Sequence, residues 1–133
     1  MNYIKKIFFL ILLPGASSGF AQLPSDSVTR LLCSKSWHMV KLTDVSGKGQ
    51  SMGGEIFNVT TTFSPDGTLE TMTSGNVATD NWKLLPDGVS LETGQLQDPK
   101  TGQEKISIVE ISDKVLKIQV TYRGNNIMQY DYN

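Results

Sequence analysis

The clearest order in this 133-residue chain is alternation of apolar and polar positions. Over residues 55–64, Phe57, Val59, Thr61 and Phe63 share one parity, while Asn58, Thr60 and Thr62 take the other. That is the period of a strand with one wet face. The run 114–123 repeats the pattern, with Leu116, Ile118, Val120 and Tyr122 opposed to Lys117, Gln119, Thr121 and Arg123. Met128, Tyr130 and Tyr132 align over 127–133, Trp82 and Leu84 over 80–85, and Val89, Leu91 and Thr93 over 89–93. Runs 68–73 and 104–112 complete the set of strands. The first strand, 36–44, breaks parity: Trp37 and Met39 fall on one side, Val40 and Leu42 on the other. Either both its faces are covered or a bulge switches them. Only 25–34 reads as helical, with Val28, Leu31 and Leu32 at i, i+3 and i+4 and Ser25 or Asp26 placed to cap. A helix so short must dock on something to persist.

The connections punctuate this pattern. Pro65-Asp66-Gly67 and Pro86-Asp87-Gly88 are hairpin turns with a mechanism. Proline presets φ, aspartate caps the turn with its carboxylate, and glycine accepts positive φ. Gly124-Asn125-Asn126 is a third turn, and 94–102 a longer hairpin loop. The glycine-rich stretch 45–54 and the polar stretch 74–79 are predicted to be loops. Eight sequential strands joined by connections short enough for hairpins form a meander, which closes most naturally by removing its own edges. The predicted fold is therefore all-β: an eight-stranded antiparallel up-and-down β-barrel with a short N-terminal helix. Its two Pro-Asp-Gly turns are expected to be corners at one end of the barrel.

The N-terminus changes the picture of where this barrel works. Lys5 and Lys6, the apolar run 7–13 and the small residues Gly19 and Ala21 match a cleaved signal peptide. The division is residues 1–21 as signal and 22–133 as a single barrel domain. The apolar run is too short to span a bilayer. Arg30-Leu31-Leu32 ahead of the sole cysteine, Cys33, lies too late for a lipidation signal, so no stable membrane anchor is expected. Without a partner Cys33 forms no internal disulfide and reads as a small apolar side chain. A periplasmic or secreted location follows. Once the two lysines of the signal are removed, 10 basic and 13 acidic side chains leave a net charge of −3. Nucleic acid is not an expected partner of such a surface, because phosphate binding needs clustered Lys and Arg.

Leu31-Leu32 and Lys35-Ser36-Trp37 at the helix-to-strand junction, the Phe63 to Thr68 hairpin, and then Asn81-Trp82, Leu84, Pro86-Asp87-Gly88 and Leu91 carry a resemblance. Taken together, they look like the small bacterial lipocalin-like domains of the calycin group. The resemblance extends over essentially the whole of 22–133, and departs from the usual Gly-x-Trp opening in having lysine at position 35. It implies a barrel that holds a small ligand, or a scaffold that acts through its loops as calycin-group protease inhibitors do.

Chemistry is sparse. One histidine, His38, and one thiol cannot assemble a zinc triad, and no serine sits in a nucleophile elbow. Glu70 and Glu92 could pair as carboxylates only across neighbouring strands, and read better as solvated outward charges. No metal, cofactor or catalytic residue is expected. An eight-stranded barrel either fills with side chains or holds one small ligand. With this many inward aromatics, a packed or nearly packed interior is the leading expectation. The expected function is nevertheless a non-enzymatic binding module for a small apolar or amphipathic ligand. The candidate ligand-binding residues are Trp37, Met39, Phe57, Phe63, Trp82, Tyr122 and Tyr130, with Thr61 and Thr93 as polar orienting groups. The alternative is a solid barrel that meets a protein partner through loops 45–54 and 74–79.

Overall fold

The computed structural model describes residues 23–47, 58–96 and 98–133, and the backbone alone at 51–53. Residues 1–21, where the signal peptide is expected, and Phe57 lie outside the described residues. Helix α1 (Ser25–Leu32) precedes strands β1 (Ser36–Asp44), β2 (Ser51–Gly53), β3 (Val59–Phe63), β4 (Thr68–Thr73) and β5 (Asn76–Leu84). β6 (Ser90–Thr93), β7 (Gln103–Ile111), β8 (Leu116–Tyr122) and β9 (Asn126–Tyr132) follow. Each strand from β3 to β9 pairs antiparallel with the next, and β1 pairs with both β3 and β9. The result is a closed eight-stranded up-and-down barrel. The short β2 extends it, pairing with Lys41–Thr43 of β1 above the stretch that β3 occupies.

The parity break in β1 is a bulge. Met39 pairs with Tyr132 and Lys41 with Asp131, so Val40 is the extra residue. It lets Met39 and Leu42 both face inward although three positions separate them. β7 carries two more shifts, one between Gln103 and Lys105 and one between Ile108 and Glu110. The first turns Gln103 to the inside, opposite Tyr122; the second does the same for Ile111, which is buried.

Several local expectations are corrected. Asn76–Thr79 of the expected loop 74–79 belong to β5, and the turn is only Ser74 and Gly75, both at positive φ. Residues 51–53 of the expected loop 45–54 form β2, while its start is pinned. Asp44 Oδ1 accepts the backbone N–H groups of Ser46 and Gly47, and Ser46 Oγ accepts that of Ile127. Helix α1 ends at Leu32, and Pro24 holds its N-cap position without a side-chain cap, so neither Ser25 nor Asp26 serves. Glu70 and Glu92 are not neighbours, since β5 runs between their strands. Each faces a non-acidic residue, Thr79 and Lys83 respectively.

The two Pro-Asp-Gly turns lie at the same end, as expected. In each, the glycine N–H closes the corner, Gly67 onto Ser64 and Gly88 onto Leu85. Both glycines are at positive φ, +92° and +76°. Asp66 accepts the Thr68 N–H, and Asp87 accepts those of Val89 and Ser90. Helix α1 covers this end, with Val28 and Leu32 buried in one core with Trp37, Phe63, Trp82, Ile111 and Leu116. The opposite end carries the 45–47, 74–75, 94–102 and 123–125 connections.

These caps make a pH prediction. Hydrogen bonds from the Ser90 side chain and from the Ser90 and Val89 backbone hold the exposed Asp87 carboxyl below its ordinary range, and those from Thr68 do so for Asp66. The folded state then binds fewer protons than the unfolded one. The stability this contributes is complete above about pH 5 and is lost as pH falls through the unfolded value and then the lowered folded values. The urea midpoint is expected to drop between about pH 5 and pH 2 in the wild type and to drop less in the Asp66→Asn/Asp87→Asn double variant. Identical acid limbs in the two proteins would refute this account of the turns.

Candidate functional site

The core does not run the full height of the barrel. Above the aromatic layer lies a cavity of about 340 Å³. This corrects the expectation of a packed interior. The cause is the height at which the aromatics sit. Trp37 is fully buried beneath helix α1, and its Nε1 donates to the Leu32 carbonyl at 3.0 Å. Trp82 donates Nε1 to the Ser64 carbonyl at 2.9 Å and meets Phe63 edge-on, with ring centroids 5.3 Å apart and planes at 86°. Both tryptophans are thus held by the backbone of the closed end and form the floor. Neither lines the cavity.

Of the nine expected site residues, Met39, Thr61, Phe63, Thr93 and Tyr130 line the cavity. Tyr122 stands beside it, its hydroxyl 2.6 Å from that of Tyr130. Burial, and then the hydrogen bond with Tyr122, raises the Tyr130 hydroxyl far above its ordinary value. Tyr132 lies deeper, opposite Met39, where burial pushes its hydroxyl up to about 12 despite a hydrogen bond with Thr61. At neutral pH Tyr130 and Tyr132 therefore offer neutral O–H groups rather than charge.

Sequence reasoning missed several lining residues. Tyr132 shares the parity of Tyr130, a signal sufficient to find it. Leu91, Ile106, Ile118 and Val120 supply the apolar wall, and all but Ile106 were visible as members of an aligned apolar parity. Gln103 could not be found this way, because only the β7 bulge turns it inward. Asp80 also lines the cavity, two residues before Trp82 and on its parity. The exposed residues Ala78, Thr79 and Gln95 belong to the same lining, so the cavity opens at the loop end.

The remaining candidates lie elsewhere. His38 is exposed, with Nδ1 3.2 Å from Thr60 Oγ1. Cys33 is half-buried against the core, and burial raises its thiol pKa. Among the described residues no group of three or more His, Cys, Asp or Glu could hold a metal ion, and no helix is long and apolar enough to cross a membrane. Comparison with protein-family models, curated proteins and solved structures returns no match.

Proposed function

We propose that this chain is an exported, non-enzymatic binding module of lipocalin-like type, which holds a small apolar or amphipathic ligand inside its barrel. The observation that carries this reading is the 340 Å³ cavity, open at the loop end and floored by Phe63. Its size falls at the lower end of ligand pockets, and its make-up fits them: apolar walls with a few convergent polar groups. At about 30 Å³ for each water-sized unit there is room for about eleven non-hydrogen atoms. An object of that size is a medium-chain alcohol or a substituted single ring, not a long-chain lipid. Export rests on the basic, apolar and small-residue order of residues 1–21.

Calorimetric titration with hexanol, octanol and decanol tests the reading. Saturable one-to-one binding that tightens with chain length is expected, because each further buried methylene contributes about 0.8 kcal/mol. No saturable binding by any of the three would remove the container function. The alternative, a protein partner met at the loop end, has one observation in its favour. Met72 and Val77 pair across the β4–β5 hairpin on its outer face and are 42% and 56% exposed.

A further inference from the structure

The binding reading requires an apolar cavity, but not the carboxylate in its wall. On β5, Ala78, Asp80 and Trp82 share the inward parity, and Asp80 pairs with Leu69 of β4, itself a lining residue. Asp80 is half-buried among these lining residues near the open end, where hydrogen-bond donors favour an ionised carboxylate. Asp80 has two. Its Oδ1 accepts the Asn81 N–H at 2.7 Å and the Gly94 N–H, from the loop after β6, at 3.1 Å. A Cβ on Gly94 would collide with that same oxygen, so the glycine is what lets the loop backbone reach the carboxylate. Both bonds fall on Oδ1, and Oδ2 carries neither of them. The polar side chains of Thr71, Thr93, Gln95 and Gln103 belong to the same lining. Among the described lining residues Asp80 bears the only formal charge, and that charge is negative.

We propose that Asp80 is the anchoring acid of the cavity and that its ligand is an amphiphile with a protonated amine head, whose apolar body lies against Phe63, Ile106 and Val120. This rests on the container reading above. An ionised carboxylate only accepts hydrogen bonds, and those it receives from an ammonium are roughly twice as strong as neutral ones. The same charge repels a fatty-acid head in a half-buried site. Clasping the Gly94 loop would need only one acceptor oxygen, which an asparagine also supplies, so the negative charge is what this assignment explains.

Decylammonium, 1-decanol and decanoate share one tail length and differ in the charge of the head. By calorimetry at pH 7, low salt and sub-micellar concentration, the amine is expected to bind at least about tenfold tighter than the alcohol, and decanoate weakest. Added sodium chloride shrinks the advantage of the amine. In Asp80→Asn, which keeps an acceptor for Gly94, the amine-to-alcohol ratio falls to near one. Equal binding of all three by the wild type overturns the anchoring role while leaving the container reading intact. Binding of none overturns both. Should Asp80→Asn fail to fold, the wild-type ranking and its salt dependence decide the matter alone.

Discussion

Trp37→Ala is expected to destabilise the barrel by about 4 kcal/mol, the largest loss of any single substitution in this chain. The indole is fully buried and sits where three parts of the molecule meet: the start of β1, the underside of helix α1 and the Phe63–Trp82 layer. Removing it deletes apolar contact on all three sides and leaves a void that close-packed neighbours refill only in part. It also strips the Leu32 carbonyl, at the helix C-terminus, of its Nε1 donor, and a buried polar group left unpaired adds to the loss. Because α1 spans only 8 residues, its helicity depends on docking, so the cap over the closed end is expected to fray with the mutation. A domain of this size has about 5–15 kcal/mol in total, so the variant stands near the limit of folding. Trp37→Phe separates the terms, since it keeps most of the packing but not the donor, and is expected to lose about 1–3 kcal/mol. Urea midpoints read both values. A Trp37→Ala loss under about 1 kcal/mol would mean that the closed end is not the stability centre described here.

The reason Trp37 is a floor residue and not a ligand contact bears on how far the sequence could be read. Alternation assigns a side chain to a face of its strand, and it did so correctly for Thr61, Phe63, Val120 and Tyr130, all on the inside. It carries no information on height along the barrel axis. Height depends on how far each strand is staggered against its neighbours, which is a property of pairing register. Trp37, the second residue of β1, is tied to the Leu32 carbonyl at the end of helix α1, and Trp82 to the Ser64 carbonyl at the first Pro-Asp-Gly corner, which places both indoles at the closed end and below the cavity. The expectation of a packed interior failed for this reason: two of its largest side chains share one layer instead of being spread through the barrel. Bulges are the second gap. The one in β1 was half-legible: the parity break between Trp37 and Met39 and then Val40 and Leu42 admitted either a bulge or a strand covered on both faces, and the bulge at Val40 is what is found. The one at Glu104 left no such conflict, so Gln103 was not placed on the strand at all. The third gap is β2, where Ser51, Met52 and Gly53 have little strand propensity. Their pairing follows from the edge of Lys41–Thr43 that β3 does not reach. Asp80 was legible and not used: an acid on the parity of Trp82 and Leu84 is the anomaly that a strand with one apolar face should not contain.

Filling the cavity from its wall should abolish binding while sparing the fold, and Val120→Trp is the variant that does so. Val120 is buried, pairs with Ile106 on β7 and Met128 on β9, and faces the cavity. Overpacking a dense core is destabilising because neighbours must move. Here the added ring atoms have 340 Å³ to occupy. The stability change is therefore expected to stay within about 1.5 kcal/mol of zero, in contrast to the loss at Trp37. Binding responds in the opposite manner, because the indole takes space that a ligand of about eleven non-hydrogen atoms would need. Displacing the equivalent of four methylenes costs about 3 kcal/mol, on the order of a hundredfold in the Kd for decanol. Calorimetry on the wild type and the variant reads the affinity, and urea unfolding the stability. If Val120→Trp binds decanol as the wild type does, the ligand sits outside the barrel, and the exposed Met72–Val77 face becomes the place to look. If binding is lost only together with cooperative unfolding, the cavity is a packing defect and not a container. Loss of binding at preserved stability is the one combination that requires the interior itself to be the site.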